Sequence, residues 1–261
     1  MTDGPASVLV LGGTSEATEL ARELTSNGHH AVLSFAGRTN PADLPALPRR
    51  IGGFGGVSGL AQELQRGGYE LLIDATHPFA TAIARNALEA AGLAGVPCLR
   101  LLRPPWEAPP GATWHEVDTV ESAAGCLADL GARRAFLAIG AGQVGAFGQV
   151  PGVQLLLRTV EPPSVAPSSQ VTVLLARGPF TVEAESALLL EHRIEVLVAR
   201  NSGGRATEAK LEAANRLGIP VIMVRRPRPP EGERVATVAE ALAWVAAKSC
   251  SNRPLPAPID G

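Results

Sequence analysis

The chain has 261 residues, 46% of them hydrophobic and 18% charged, with a formal net charge of -2. That length accommodates one large or two small domains with a buried core, and that composition excludes a mainly disordered chain. The near balance of 23 basic and 25 acidic residues leaves no phosphate-backbone footprint, and 4% aromatics argue against stacking on nucleic-acid bases.

Residues 8–11 form a short apolar run of the kind a buried parallel strand shows. Gly12-Gly13-Thr14-Ser15-Glu16 punctuates it, and Ala17, Leu20, Ala21 and Leu24 then recur at helical spacing up to Asn27-Gly28. Residues 31–35 read as the next strand, 41–48 as a loop, and 50–53 as a short edge running into Gly52-Gly53-Phe54-Gly55-Gly56. Leu60 and Leu64 start another helix. Residues 71–73 are a strand ending at Asp74, 79–91 a helix and 96–102 a strand. Such alternation predicts a doubly wound parallel sheet.

Residues 103–113 contain Pro104, Pro105, Pro109 and Pro110 and cannot form a central element. Residues 114–130 give no decisive pattern beyond a helix candidate at 122–130. A second alternation follows, with strands at 135–139, 153–157, 171–175, 196–199 and 221–224 and helices at 181–192, 207–217 and 238–247. The fold class expected is α/β, as two domains, residues 5–112 and 113–248. Residues 249–261, with Pro254, Pro256 and Pro258, are expected to be a disordered tail. Residues 1–130 carry 8 basic and 14 acidic residues, and residues 131–261 carry 15 and 11. A positive second half suits an anionic ligand.

Open α/β sheets bind ligands beyond the carboxyl ends of their strands, so the loops there are the candidate sites. The loop from Gly12 to Ala17 sits where a dinucleotide phosphate loop sits, although Thr14 and Ala17 stand where GxGxxG has its later glycines. Small residues still admit a pyrophosphate to the helix N-terminus. Ser15 can donate a hydroxyl or cap the helix, and the alternative for the whole loop is a plain tight turn. After the second strand no acid is present for ribose hydroxyls. Arg38 stands there and can take a 2′-phosphate, which points to NADPH; otherwise it is a solvated loop arginine. The glycines at 52–56 read as backbone packed close to a ligand or as a mobile turn.

Asp74-Ala75-Thr76-His77-Pro78-Phe79-Ala80 places Thr76 and His77 in a crevice-facing loop. Asp74 is either a general acid or, better, a cap for a helix starting after Pro78. In the second half, Arg200-Asn201-Ser202-Gly203-Gly204 makes a second anion-friendly helix start, ahead of Lys210, and Gln143 follows another strand. Arg158, Arg177 and Arg200 end predicted strands. They converge on one edge, or each pairs with a local acid such as Glu161, Glu183 or Glu185. Cys98, Cys126 and Cys250 are isolated, with no CxxC, so neither a zinc site nor a redox pair is expected. Isolated thiols, and an amino-terminal stretch without a basic leader, point to a reducing cytoplasm. No apolar run reaches about 18 residues, so no membrane span is expected. YxxxK, GxSxG, GxxxxGK[ST] and HExxH are all absent.

LGGTSEA, GGFGG, DATHPFA, RTVEPP, ARGPF, ARNSGG and GIPVIMVRRP occur in this order over residues 8–247. The set resembles the precorrin-6A reductase family of corrin-ring biosynthesis, and DATHPFA is its most specific piece. The resemblance implies two Rossmann-like doubly wound domains with the active site in an interdomain cleft. It implies NADPH as the cofactor, with no flavin and no metal belonging to the protein. A hydride goes to one ring carbon of precorrin-6A and a proton to its neighbour, giving precorrin-6B. The substrate is a tetrapyrrole carrying acetate and propionate groups. Carried onto this chain, the resemblance assigns Gly12, Gly13, Thr14, Ser15, Arg38, Gly55, Thr76 and Ser202 to the cofactor. It assigns His77, Phe79, Gln143, Arg158, Arg177, Arg200, Asn201 and Lys210 to the substrate. His77 is the catalytic candidate, as a positioning group in preference to a proton donor. Transient contact with neighbouring pathway enzymes is a further expectation; nucleic acid and membranes are not expected partners. Competing readings are another NADPH-dependent reductase on this scaffold, against which DATHPFA speaks, and a non-catalytic NADPH-binding module.

Overall fold

The central apolar runs become strands buried on both faces, as parallel strands under helices must be, and the run at 171–175 becomes a half-exposed edge. The computed structural model describes residues 5–37, 47–148, 150–160, 162–163 and 168–251. Arg38 and Glu161 therefore lie outside the described residues. In the first sheet β1 (Ser7–Leu11) lies between β2 (His30–Phe35) and β4 (Leu71–Asp74). β3 (Arg49–Ile51) flanks β2, and β5 (Cys98–Leu101) flanks β4. Helices α1 (Ser15–Ser26), α2 (Val57–Arg66) and α3 (Thr81–Ala94) connect them. Leu9, Leu72, Leu60 and Leu64 pack in one core cluster, and Val10, Ile73, Leu20 and Leu24 in another. The helix expected from residue 79 begins at Thr81, after a turn in which the Ala80 N–H donates to the His77 carbonyl (2.8 Å).

The second sheet contains β6 (Trp114–Val117), β7 (Arg134–Ala138), β8 (Gln154–Thr159), β9 (Val171–Leu175), β10 (Val196–Arg200) and β11 (Val221–Val224). Its helices are α4 (Val120–Asp129), α5 (Val182–Glu191) and α6 (Ala209–Arg216), with 3₁₀ turns at Ala141–Phe147 and Arg205–Thr207. The weakly patterned stretch at 114–130 is thus a strand followed by a helix. Among the described residues no helix is long and apolar enough to cross a membrane.

With β12 (Arg234–Val235), both sheets are wholly parallel, in the orders β12-β5-β4-β1-β2-β3 and β6-β11-β10-β7-β8-β9. Each is a 3-2-1-4-5-6 doubly wound sheet, with the order reversing beside β1 in one and beside β7 in the other. The sixth strands are exchanged along the chain. After β5 the chain enters the second sheet as β6, and after β11 it returns to the first as β12 (Arg234–Val235). Helix α7 (Val238–Ser251) then covers the first sheet, with Ala241 and Val245 fully buried among Leu20, Leu24 and Leu99. Its start is a reciprocal cap: Glu240 N–H donates to Thr237 Oγ1 (3.2 Å), and Glu240 Oε2 accepts from Thr237 N–H (3.0 Å). The Ala236 and Thr237 N–H groups, both donating to this carboxylate, hold the Glu240 carboxyl below its ordinary range. The capping contribution is therefore present at neutral pH and is lost as pH falls through that lowered value.

The expected contiguous division at 112/113 is corrected accordingly. One compact unit comprises residues 1–103 with 228–261, and the other residues 104–227. Residues 228–248, assigned by sequence to the second domain, complete the first because β5 needs a hydrogen-bonding neighbour and its sheet a covering helix. The charge asymmetry disappears with this division. The first unit's sequence carries 12 basic and 13 acidic residues and the second's 11 and 12, so each is net -1. Of the tail, residues 249–251 are the end of α7, and residues 252–261 lie outside the described residues.

Shortening Val245 to Ala removes two buried carbons and is expected to cost about 2 kcal/mol. Amide hydrogen exchange locates the loss: protection should fall at β1 and β4. A fall confined to β7 and β10 would assign α7 to the other sheet.

Candidate active site

The two glycines after β1 serve different ends. The Gly12 N–H donates to the Ser34 carbonyl (2.8 Å), and a Cβ on Gly12 would lie 2.9 Å from Leu33 Cδ1. A side chain here would displace Leu33 and crowd the Ser34 carbonyl at 3.2 Å, so glycine lets this turn lie close against β2. Gly13 has φ +120°, which side-chain-bearing residues rarely adopt, and no heavy atom lies within 4 Å of where its Cβ would be. That opening, beside the start of a twelve-residue helix, fits an approaching phosphate. Thr14, not Ser15, caps the helix: its Oγ1 accepts from Ala17 N–H (3.1 Å) and donates to the Ala75 carbonyl (2.8 Å). One hydroxyl thereby ties the loop after β1 to the loop after β4. Ser15 Oγ donates to Glu16 Oε2 (3.1 Å).

Asp74 is 2% exposed and wholly engaged. Its Oδ1 accepts from Thr76 N–H (3.0 Å) and Thr76 Oγ1 (2.6 Å), and its Oδ2 pairs with Arg100, directly across in β5. Both expectations for Asp74 are corrected. A carboxylate fixed by three donors inside the sheet is no general acid, and α3 starts at Ala80–Thr81 without a side-chain cap. At the start of β5, burial pushes the Cys98 thiol up to about 12, with Asp74 adding to the effect. A thiol raised in this way is a poor nucleophile at neutral pH.

His77 is half-buried and follows this anchored turn. Its Nδ1 accepts from Phe79 N–H (3.3 Å), and the two rings lie 5.8 Å apart. An accepting Nδ1 places the proton of the neutral ring on Nε2. A small depression beside the turn is lined by Thr14, Glu16, Thr76, Pro78, Leu101 and Arg103.

The glycine cluster is a built turn, organised by a residue that the motif reading passed over. Arg50 donates to the Gly52 and Gly53 carbonyls (2.6 and 3.0 Å), lies 3.8 Å from the Phe54 ring and faces Glu63 at 3.6 Å. A Cβ on Gly59 would overlap the Phe54 carbonyl. Gly55, at φ +79°, has open space around it.

In the second unit the loops after β7 and β10 are neighbours at that sheet's reversal. Gly140 approaches Arg200, where its Cβ would lie 3.4 Å from a guanidinium nitrogen, and burial lowers the Arg200 pKa. Ser202 is buried, and its N–H donates to the Arg200 carbonyl (2.6 Å). Gln143 lies in the turn after β7, and its buried Oε1 has no hydrogen-bond partner among the described residues. Parallel topology places Arg158, Arg177 and Arg200 along one edge.

Other assigned residues have partners within the fold. Asn201 bonds both the N–H and the carbonyl of Trp106 (2.8 and 2.9 Å). Arg226, also passed over by the motif reading, donates to the Asn201 and Pro104 carbonyls (2.6 and 2.9 Å). Lys210 donates to the Thr207 carbonyl and lies 4.7 Å from the Trp106 ring. Together these groups pin the proline-rich segment to the second sheet. Arg158 follows the local-acid alternative. It pairs through both terminal nitrogens with Glu185, and its guanidinium lies 3.8 and 4.9 Å from the Phe180 and Phe136 rings.

Two parallel sheets, each with glycine-lined loops at its reversal, define a doubly wound α/β protein. Residues 7–246 match the family described as precorrin-6x reductase CbiJ/CobK. The chain belongs to this family of oxidoreductases. It is 50% identical over 240 residues to the precorrin-6A reductase of Rhodococcus erythropolis, covering 91% of this chain and 96% of that one. It is 43% identical over 247 residues to that of Rhodobacter capsulatus, covering 94% and 98%. The cobalt-precorrin-6A reductase of Methanothermobacter thermautotrophicus is 32% identical over 254 residues, covering 88% and 80%. The solved structure of CobK precorrin-6A reductase is similar with a TM-score of 0.88 and 43% identity, covering 93% and 97%.

Asp74→Ala leaves Arg100 as a buried cation without its carboxylate, and Glu185→Ala does the same to Arg158. Each is expected to lower the stability of its own unit by about 3–5 kcal/mol. Urea denaturation checks both; losses no larger than those of surface substitutions would show that neither pair is needed by the fold.

Proposed function

We propose that the chain reduces one double bond of precorrin-6A to give precorrin-6B, with NADPH as the reductant, in cobalamin biosynthesis in the cytoplasm. The observation that carries this is the joining of the GGTSEA turn to the DATHPFA turn by Thr14, in a chain of the precorrin-6x reductase family. We infer metal-free precorrin-6A as the substrate. The relatives named for it are 43–50% identical, against 32% for the archaeal relative named for the cobalt form.

The residues at the first sheet's reversal fit a dinucleotide. Gly13 offers open backbone and α1 an N-terminus for the pyrophosphate. Gly55 lines a second open turn, and Arg38 takes the 2′-phosphate. Bound NADPH supplies the hydride. Thr76 gives its own hydroxyl proton to Asp74 and so meets a ligand as an acceptor. His77 positions a reactant through a ring whose Nδ1 is held on the Phe79 backbone. In the second unit, Gln143, Arg177 and Arg200 serve the substrate's carboxylates.

Arg38→Ala is expected to raise KM for NADPH about 10- to 150-fold, the worth of one charge-assisted pair, with a much smaller effect on NADH. Equal effects on both cofactors would remove Arg38 from the 2′-phosphate. His77→Ala is expected to raise KM with near-normal turnover. A turnover loss of about 10²- to 10⁴-fold, with an ionisation missing from the pH profile, would instead make His77 the proton donor.

A further inference from the structure

The first sheet's order reverses between β1 and β4, so β2 and β3 lie on one side of the crevice and β4, β5 and β12 on the other. In such sheets each side receives one half of a dinucleotide, with the pyrophosphate between them. The depression lined by Thr14, Glu16, Thr76, Pro78, Leu101 and Arg103 draws on residues at the ends of β1, β4 and β5, and on none from β2 or β3. Its lining among the described residues therefore places it under the half that carries the nicotinamide.

In its wall, Arg103 Nη1 meets Glu16 Oε2 at 2.6 Å, a pairing of side chains 87 residues apart that are 15% and 22% exposed. Glu16 stands in the first turn of α1, where its carboxylate occupies the positive end of the helix that a phosphate would use. Alone it would repel that phosphate. The Arg103 guanidinium cancels this charge and brings a planar cation, suited to phosphate oxygens, to the same helix start.

We propose that Arg103 is a further cofactor-binding residue, which offsets the Glu16 charge and anchors the phosphate on the nicotinamide side. The proposal rests on the NADPH reading above. Titration calorimetry with NADP⁺ and with 2′,5′-ADP, which carries the adenosine half alone, separates the two ideas. Arg103→Ala should weaken NADP⁺ about 10- to 100-fold and leave 2′,5′-ADP unchanged. Glu16→Gln removes the neighbouring anion while Arg103 stays, so NADP⁺ binding should hold or tighten. Normal NADP⁺ binding by Arg103→Ala overturns the proposal. Equal weakening by both substitutions also overturns it, since the pair would then be a loop staple. If Arg103→Ala loses both ligands, Arg103→Lys is decisive. Intermediate NADP⁺ affinity with normal 2′,5′-ADP binding supports the anchor, and loss of both again overturns it. Wild-type protein that binds neither nucleotide overturns the NADPH reading itself, and this proposal with it.

Discussion

A carboxylate inside a parallel sheet, held by a guanidinium on the next strand, fixes the crevice of the first unit. Asp74 ends β4 at a position opposite Arg100, and both are buried. Burying either charge alone is prohibitive, and burying both is tolerable only if the remaining lone pairs find donors. Thr76 supplies those donors from its backbone and its hydroxyl. The turn after β4 therefore has little freedom, and His77 inherits its place from that turn. The Thr14–Ala75 bond carries the same order across to the loop after β1. A net-stabilising role for the ion pair need not be assumed. What matters is that the turn cannot shift without exposing one charge to the interior without the other.

The second constraint is the exchange of sixth strands. β5 pairs with β12, and the core between α1 and β5 is closed by α7, which comes more than 130 residues later in the chain. The first unit is thus built from contacts very distant in sequence, which slows folding relative to local pairing. It also makes the proline-rich passage after Arg103 structural. Asn201, Arg226 and the tight approach of Gly203 to the Pro104 carbonyl hold the start of this passage to the second sheet.

Legibility in the sequence followed burial. β1 and β4 were plain because strands covered on both faces are continuous apolar runs. β6 was obscure because Trp-His-Glu-Val is a half-exposed edge, and β12, two residues long, carries no periodicity. Periodicity marks the apolar face of α7 but not the sheet it will cover, so the domain boundary was misplaced. The turns that hold Gly13 and His77 were legible because a turn after a strand constrains residue type. The partners of Arg158, Asn201 and Lys210 were not, because a side chain's chemistry does not reveal whether its partner is a ligand or Glu185, Trp106 or Thr207.

The charge count shows the same limit. Divided by sequence halves, the chain offers a positive domain for a polyanion. Divided as it folds, it offers two units of net -1. Several cations of the second unit are also committed internally. Arg158 holds Glu185, Arg225 bridges Glu116 and Asp118, and Arg226 serves backbone carbonyls. The net charge of the unit therefore supplies no long-range attraction for an anionic ligand. Any recognition of carboxylates by this unit would act at short range, through donors fixed at the carboxyl edge of the sheet, such as Arg200 beside Gly140. Short-range contacts of this kind are screened little by salt when buried. Substrate affinity governed by them should depend on the placement of individual carboxylates more than on their number.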